Sequence, residues 1–162
     1  KNLSKLNIKN FILPMYGKSN LTDKNYFEYV DVLKMILKKS KKIQILIESN
    51  VSPDEFQIFK KMINSKKLLF LFDTGNRINL KRNLYNDFEK MYNNIGHIHI
   101  KDKNKKKQNV KITTGLVDFN KFFKIVKKKK YNKNFTFETT RGSNPIETAK
   151  NNIKFLKKSL NY

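Results

Sequence analysis

The stretch "LLFLFD", Leu68–Asp73, places five apolar residues in a row and ends on an acid. Uninterrupted apolar runs of this length are typical of strands buried on both faces of a sheet, since no position alternates toward water. The segment "NLYNDFEKMYNN" at 83–94 follows, and its apolar residues recur three and four positions apart, which is helical spacing. The two segments together predict one β-α unit.

The same succession of strand pattern and helix pattern recurs along the chain. The other predicted pairs of segments are "NFILPM" (10–15) with 25–40, "IQILIE" (43–48) with 52–65, "IGHIHIKD" (95–102) with 117–130, and "FTFET" (135–139) with 144–160. Five β-α units in a row predict a parallel sheet whose connections cross over with a right hand.

Local signals support the helix assignments. Ser52–Pro53 and Asn144–Pro145 predict helix starts, because Ser and Asn are good N-caps and Pro suits the first helical turn. The first helix segment carries apolar residues at helical spacing, namely Phe27, Val30, Leu33 and Leu37.

Length and glycine content decide between the two architectures that such units build. The chain has 162 residues, 38% of them hydrophobic, which predicts a single domain over 1–162. A doubly wound sheet that binds a nucleotide usually opens on a glycine-rich turn, but this chain has five Gly and no G-x-G-x-x-G. The predicted fold class is therefore the (β/α)8 TIM barrel. A complete barrel takes roughly 250 residues, so five units predict a partial one.

The chain is strongly basic, with a formal net charge of +23 at pH 7. The basic residues are almost all Lys, with Arg only at Arg77, Arg82 and Arg141, whereas readers of nucleic acid favour the guanidinium fork. Abundant Lys, Asn, Ile, Phe and Tyr indicate compositional drift, as in an AT-rich genome, so nucleic acid is not the expected partner. The chain has no Cys and no apolar run of the ~18 residues that a membrane helix needs. A cytoplasmic protein is expected.

Polar residues with metal-ligand chemistry stand where four consecutive predicted strands end. The functional residues of parallel α/β folds collect at these strand ends. Each residue also has a structural alternative, since an acid there can cap the next helix and a lone His can be a hydrogen-bonded core residue. Two Glu, one Asp and one His suit Mn²⁺, Mg²⁺, Co²⁺ or Zn²⁺. The candidates are Glu48, Asp73, His99 and Glu138.

The two histidines of the chain are separated by the period of a strand. His97, His99 and Lys101 face one side, and Asp102 faces the other. His99 stands nearer the strand end and is the ligand candidate. We expect His97, one layer deeper, to be a buried hydrogen-bonding residue.

Five short motifs in order carry a resemblance to a known family. They are "IESN" ending at Asn50, "FDTGN" (Phe72–Asn76), "HIKD" (His99–Asp102), "TGLVDF" (Thr114–Phe119) and "FETTR" (Phe137–Arg141). Their order and spacing resemble the sugar phosphate isomerases and epimerases, xylose isomerase-like TIM barrels that include ketose 3-epimerases and hexulose-6-phosphate isomerases. The resemblance covers nearly the whole chain, as the fourth to eighth β-α units of that barrel.

The resemblance implies an activity as well as a fold. The family holds a divalent metal with Glu, Asp, His and Glu, which correspond here to the four strand-end candidates. Glu48 and Glu138 would act as base and acid on an α-hydroxy ketone that passes through a metal-stabilised enediolate. The implied substrate is a small sugar or sugar phosphate, and the oligomeric state is left open, a homo-oligomer included. Asn76, Lys101 and Arg141 are the expected substrate-binding residues, with Arg141 suited to a phosphate.

The chain departs from the family pattern in two ways. Thr113 stands where the family usually has the first Gly of a glycine-rich loop. The first three units of the barrel have no counterpart here, so we expect the chain to be a piece of a longer enzyme whose activity needs the remainder.

Two other functions stay open. An apurinic endonuclease of the same fold would explain the positive charge, but its three-zinc site needs many His and the chain has two. A non-catalytic basic domain would bind nucleic acid or a partner protein, with salt-sensitive affinity for random DNA and no metal uptake.

Overall fold

Parallel strands and their connecting helices build the sheet that the sequence predicts. The structure, a computed structural model, describes residues 8–40 and 42–161. The strands are β1 Asn10–Met15, β2 Gln44–Ser49, β3 Leu68–Asp73, β4 Ile95–Ile100, β5 Asp102–Lys103, β6 Asn109–Val110 and β7 Asn134–Phe137. The helices are α1 Tyr26–Lys39, α2 Pro53–Ile63, α3 Thr74–Ile78, α4 Leu84–Met91, α5 Phe119–Lys128 and α6 Pro145–Leu160. The main sheet has the order β1-β2-β3-β4-β7, so all five predicted strands are present in chain order.

The chain divides into two compact units. The first ends at Leu71 and also takes Asn93–Gly96, and the second takes Phe72–Tyr92 and the chain from His97 onward. Both β3 and β4 therefore contribute residues to each unit. The single domain predicted from length stays a prediction.

The first unit is built on three parallel strands. Phe11 of β1 lies opposite Ile45 of β2, and Ile45 in turn lies opposite Leu68 of β3. Strands β2 and β3 are buried over almost their whole length, as their apolar runs predict, whereas β1 is buried only at Met15. On one face, Leu46, Leu69 and Leu71 pack together with Ile12.

Helix α1 buries a different residue from the one its spacing suggested. Val30, Leu33 and Leu37 are buried, but Phe27 is 76% exposed. Tyr26 takes the buried place, with its ring 5.1 Å from that of Phe59. Tyr26 lies four positions before Val30 and Phe27 lies three, and both spacings are helical, but Tyr26 is the residue on the buried face.

Both predicted helix starts are confirmed. Ser52 accepts a hydrogen bond from the backbone N–H of Glu55, and the Glu55 carboxylate accepts one from the Ser52 N–H, which is a capping box. The side chain of Asn144 likewise accepts from the N–H of Glu147, and Pro145 stands in the first turn of α6.

Aromatic rings form the core of the second unit. The rings of Phe72, Phe88 and Phe122 lie 5.1 to 6.2 Å apart, and Phe72 is the residue directly before Asp73. The strands β4 and β7 of this unit are parallel, with Ile100 opposite Phe137. The N–H of Glu138 donates to the carbonyl of Ile100 at 3.1 Å, which places Glu138 beside the end of β4.

The Lys-rich loop after β4 contains a hairpin that the sequence did not predict. Strands β5 and β6 are antiparallel, with Asp102 opposite Val110. Lys105–Lys107 lie at the tip and are exposed, as expected for a solvated run. Within 8–40 and 42–161, no helix is long and apolar enough to cross a membrane. The cytoplasmic location stays a prediction.

Candidate functional site

Asp73 ends β3 and divides its two carboxylate oxygens between different surroundings. Oδ1 accepts a hydrogen bond from the Asn76 N–H at 2.7 Å and so caps the short helix α3. The side chain is only 1% exposed, and Oδ2 lies 2.9 Å from the Lys101 ammonium. Asp73 therefore does cap the next helix, the structural alternative considered above, but the cap uses only Oδ1.

His99 lies near the end of β4 with its Nδ1 directed at two carboxylates. Nδ1 is 3.9 Å from Asp73 Oδ2 and 3.1 Å from Glu138 Oε1. In the part of the chain that the structure describes, this buried nitrogen forms no hydrogen bond. Burial lowers the pKa of His99, although Glu138 and Asp73 act in the opposite direction. The ring is therefore neutral near pH 7, the form in which an imidazole binds a metal.

Lys101 and Glu138 complete this cluster. The Lys101 ammonium lies 2.9 Å from Asp73 Oδ2 and 2.5 Å from Glu138 Oε2. Burial lowers the pKa of Lys101, but the bonds with Glu138 and Asp73 outweigh it and the net shift is upward. Burial alone would raise the pKa of Glu138, but the hydrogen bond from Lys101 outweighs burial, and the net shift of this pKa is downward. Lys101 is thus charged and Glu138, whose side chain is 42% exposed, is ionised.

Two small residues after Asp73 shape the position of Lys101. A Cβ on Gly75 would lie 2.5 Å from Lys101 Cγ, so only glycine leaves room for the lysine stem. The hydroxyl of Thr74 donates to the carbonyl of Lys101 and accepts from its N–H. The sequence reading had assigned neither residue a role, although both belong to the "FDTGN" motif.

Glu48 belongs to the first unit. It is the last residue but one of β2 and is 7% exposed. The Tyr16 hydroxyl donates to Glu48 Oε1 at 3.3 Å. The structure therefore presents this predicted ligand as a buried carboxylate at a strand end.

His97 is half-buried and is engaged by a neighbouring strand. Its Nε2 lies 2.8 Å from the hydroxyl of Thr136, and its ring meets that of His99 edge to face at 5.4 Å. Burial, and secondarily the proximity of His99, lowers the pKa of His97. The hydrogen bond agrees with the structural role expected for His97.

The remaining predicted site residues differ in their surroundings. Asn76 is half-buried, and its amide oxygen accepts a hydrogen bond from the Lys103 ammonium at 2.9 Å. Arg141 is exposed, and it lines a cavity of about 400 Å³ together with Glu138. The structure therefore brings Asp73, His99, Lys101 and Glu138 into contact, whereas Arg141 stands at the rim of a cavity beside them.

Asp102 is a structural residue of the site that sequence reasoning did not single out. It is fully buried, and its two oxygens accept hydrogen bonds from the N–H groups of Lys103, Gly115 and Val117. These bonds join β5 to the loop before α5. The alternation that sends Lys101 and Asp102 to opposite sides was the available signal.

Comparison with protein-family models places this geometry in a known family. The model of the xylose isomerase-like TIM barrel matches residues 3–159. The chain belongs to the xylose isomerase-like TIM barrel family. This membership confirms the predicted fold class, and the parallel main sheet is the corresponding part of the barrel.

Several solved structures resemble the chain in fold. A xylose isomerase domain protein from Planctomyces limnophilus matches with a TM-score of 0.83 and 20% identity, over 99% of this chain and 64% of that one. D-Allulose 3-epimerase from Methylomonas sp. matches with a TM-score of 0.77 and 19% identity, over 98% of this chain and 65% of that one. The IOLI protein with a bound zinc atom matches with a TM-score of 0.77 and 13% identity, over 98% and 65%.

These likenesses concern the fold. The chain spans a little under two thirds of the length of these three proteins. A search of the curated proteins gives no significant match.

Proposed function

We propose that the protein is a divalent-metal-dependent isomerase or epimerase that acts on a small sugar or sugar phosphate. The observation that carries the proposal is a buried cluster of ligand atoms in the described chain, in which His99 Nδ1 forms no hydrogen bond and lies 3.9 Å from Asp73 Oδ2 and 3.1 Å from Glu138 Oε1. Buried polar atoms are normally hydrogen-bonded, so an unbonded ring nitrogen beside the carboxylates of Asp73 and Glu138 requires an explanation. A cation between them is the simplest.

The donor set suits a metal ion. Glu48, Asp73 and His99 are all buried, and each offers one carboxylate oxygen or ring nitrogen as a ligand atom. Glu138 Oε1, 3.1 Å from His99 Nδ1, would be the fourth ligand. Mixed carboxylate and imidazole ligands fit Mn²⁺, Mg²⁺, Co²⁺ and Zn²⁺. That a family member was solved with a bound zinc atom supports a metal of this kind.

The two glutamates are the proposed acid and base. A bound cation would supply Lewis-acid polarisation of the oxygens of an α-hydroxy ketone. Glu48 and Glu138 would remove and return the proton at the adjacent carbon from opposite faces. The lowered pKa of Glu138 keeps its carboxylate ionised near neutral pH, as a proton acceptor must be.

Three further residues are proposed to bind substrate. Lys101 is charged and lies against the proposed ligands, within reach of a sugar oxygen or phosphate there. Arg141 shares a cavity of about 400 Å³ with Glu138, and its guanidinium suits bidentate contact with a phosphate. Asn76, whose amide oxygen accepts from Lys103, is proposed to contact a sugar hydroxyl.

Some of the solved structures with a similar fold are enzymes that act on ketoses, which favours a sugar substrate. The solved relatives include D-allulose 3-epimerase and an L-ribulose 3-epimerase. The proposal transfers only the substrate class, a ketose or ketose phosphate. The sugar itself and the carbon that reacts are left to experiment.

Solvent exchange tests the chemistry directly. The full chain is incubated with Mn²⁺ and a panel of ketoses and ketose phosphates in D₂O, and deuterium at the carbon next to the carbonyl is followed by NMR. We expect exchange with at least one ketose and its loss in Glu48→Gln and Glu138→Gln. The exposed acid Glu147 supplies the matched control, Glu147→Gln, which should retain exchange.

Metal uptake is measured separately by thermal unfolding. We expect Mn²⁺ or Zn²⁺ to raise the Tm by binding the folded state, and Asp73→Asn to abolish the rise. Uptake of metal without exchange on any ketose would contradict the isomerase proposal. Salt-sensitive binding to random DNA without metal uptake would instead favour the non-catalytic basic domain.

A further inference from the structure

Lys101 holds the one Asp73 oxygen that a metal ion could use. Asp73 Oδ1 is committed to the N–H of Asn76 at 2.7 Å, which leaves Oδ2. The Lys101 ammonium lies 2.9 Å from that Oδ2, and 2.5 Å from Oε2 of Glu138. A single ammonium thus joins two carboxylates of the proposed ligand set.

A metal ion on Asp73 Oδ2 would compete with the Lys101 ammonium for this oxygen. A divalent ion binds a carboxylate oxygen at roughly 2.0–2.3 Å, well inside the distance at which Lys101 now stands. Two cations on one oxygen repel each other, and the repulsion is strong where water is excluded. Because Asp73 is almost completely buried, water cannot screen the two charges at this point.

The surroundings of Lys101 allow its ammonium to move toward solvent. Its stem is confined beside Gly75, where a Cβ would come within 2.5 to 2.9 Å of Cβ, Cγ and Cδ. The last bonds of the side chain lie beyond this contact. Glu138, at 42% exposed, forms the more open side of the cluster, so the ammonium can turn toward solvent there.

We propose that Lys101 is the resident cation of the metal-free site, and that metal binding displaces its ammonium from Asp73 and Glu138. The inference rests on the proposed metal site and adds a coupling to it. In the metal-free protein, Lys101 neutralises a buried carboxylate that would otherwise be costly to keep ionised. In the metal-bound protein, the released ammonium faces the substrate, so a positive charge becomes available only when the site is loaded.

Removing the ammonium tests the competition. Lys101→Met keeps the unbranched stem beside Gly75 and deletes the charge. We expect calorimetry on the full chain to show Zn²⁺ and Mn²⁺ binding ~10-fold or more tighter than in the wild type, within the usual range of coupling between sites. Lys103→Met is the matched control. It deletes the same charge two residues further along the chain, where the Lys103 ammonium contacts Asn76. Its effect should be clearly smaller.

A labelling experiment on the wild-type chain does not depend on a variant that folds. The reactivity of the Lys101 amine toward an acylating reagent is measured by mass spectrometry with and without Zn²⁺. We expect reactivity to rise severalfold on metal addition, while Lys103 changes little.

The outcomes separate this inference from the proposed function. Metal binding of equal strength in wild type and Lys101→Met, with unchanged Lys101 labelling, would overturn the displacement and leave the metal site standing. Absence of metal binding in both proteins would overturn both proposals.

Discussion

Thr74 and Lys101 are joined by two hydrogen bonds through one hydroxyl. Thr74 Oγ1 donates to the Lys101 carbonyl at 2.6 Å and accepts from the Lys101 N–H at 2.9 Å. Thr74 directly follows β3, and Lys101 directly follows β4. Thr74 therefore links the backbone at Lys101 to the end of β3, the strand that carries Asp73.

Replacing Thr74 by Val should destabilise the protein by about 2–4 kcal/mol, because the buried N–H and carbonyl of Lys101 both lose a partner. Urea unfolding measures the change. Thr114→Val is the control, since the exposed Thr114 hydroxyl makes one hydrogen bond, to the Lys111 carbonyl, and its loss should cost under about 1 kcal/mol. Equal losses in the two variants would contradict the prediction.

Thr113→Gly should stabilise the protein. Thr113 has a φ of 74°, a backbone conformation that is strained for a β-branched residue and free of strain for glycine. We expect a gain of about 1 kcal/mol in the free energy of unfolding. Thr114→Gly, at a neighbour whose φ is not positive, should instead lose stability. A loss at both positions would show that the Thr113 backbone is not strained.

Asp102→Asn should loosen the loop before α5. An amide presents only one oxygen, so its NH₂ group would face a backbone N–H that now donates to the carboxylate at Gly115 or Val117. The expected loss is about 2–3 kcal/mol. Hydrogen exchange at Gly115 and Val117 should accelerate, whereas the amides of α2 should change no more than global stability requires. Unaltered exchange at both loop amides would refute this assignment.

Arg77→Lys should cost about 2–3 kcal/mol although it keeps the charge, because one ammonium cannot reproduce both contacts of the guanidinium. The Arg77 side chain is buried, lies 2.5 Å from Asp87 Oδ2 and stacks 5.2 Å from the Phe72 ring centroid. Arg82 contacts the same Asp87 oxygen at 3.3 Å but is about one-third exposed, so Arg82→Lys should cost well under half as much. Thermal unfolding of both variants gives the comparison, and a reversed order would be inconsistent with it.

The succession of strands and helices was predictable because each apolar run and each cap has a local physical cause. "LLFLFD" is buried throughout, and Ser52 forms the capping box with Glu55. Parallel strand order then follows from chain order, since each helix returns the chain in the same direction. Strand ends also indicated Asp73 and His99, which the structure brings to within 3.9 Å.

Features that depend on competition between neighbours were not predictable. Tyr26 and Phe27 both fit the helical period, and only packing against Phe59 decides for Tyr26. The β5–β6 hairpin has strands of two residues, too short for a periodic signal, and Asp102 links β5 to the loop before α5 through contacts distant in sequence. Alternation placed Lys101 on the side of His99, but it could not show that the ammonium lies on Asp73.

Two of the three arginines of the chain contact a single aspartate, Asp87. Apart from the three arginines, all basic residues of the sequence are lysine or histidine, so arginine is used at few positions. At the buried Arg77 a lysine could not replace arginine, because the guanidinium supplies a charge to Asp87 and a planar group that stacks on the Phe72 ring. In a chain that carries almost all of its positive charge on lysine, an arginine is therefore a guide to where side-chain geometry, beyond charge, is under constraint.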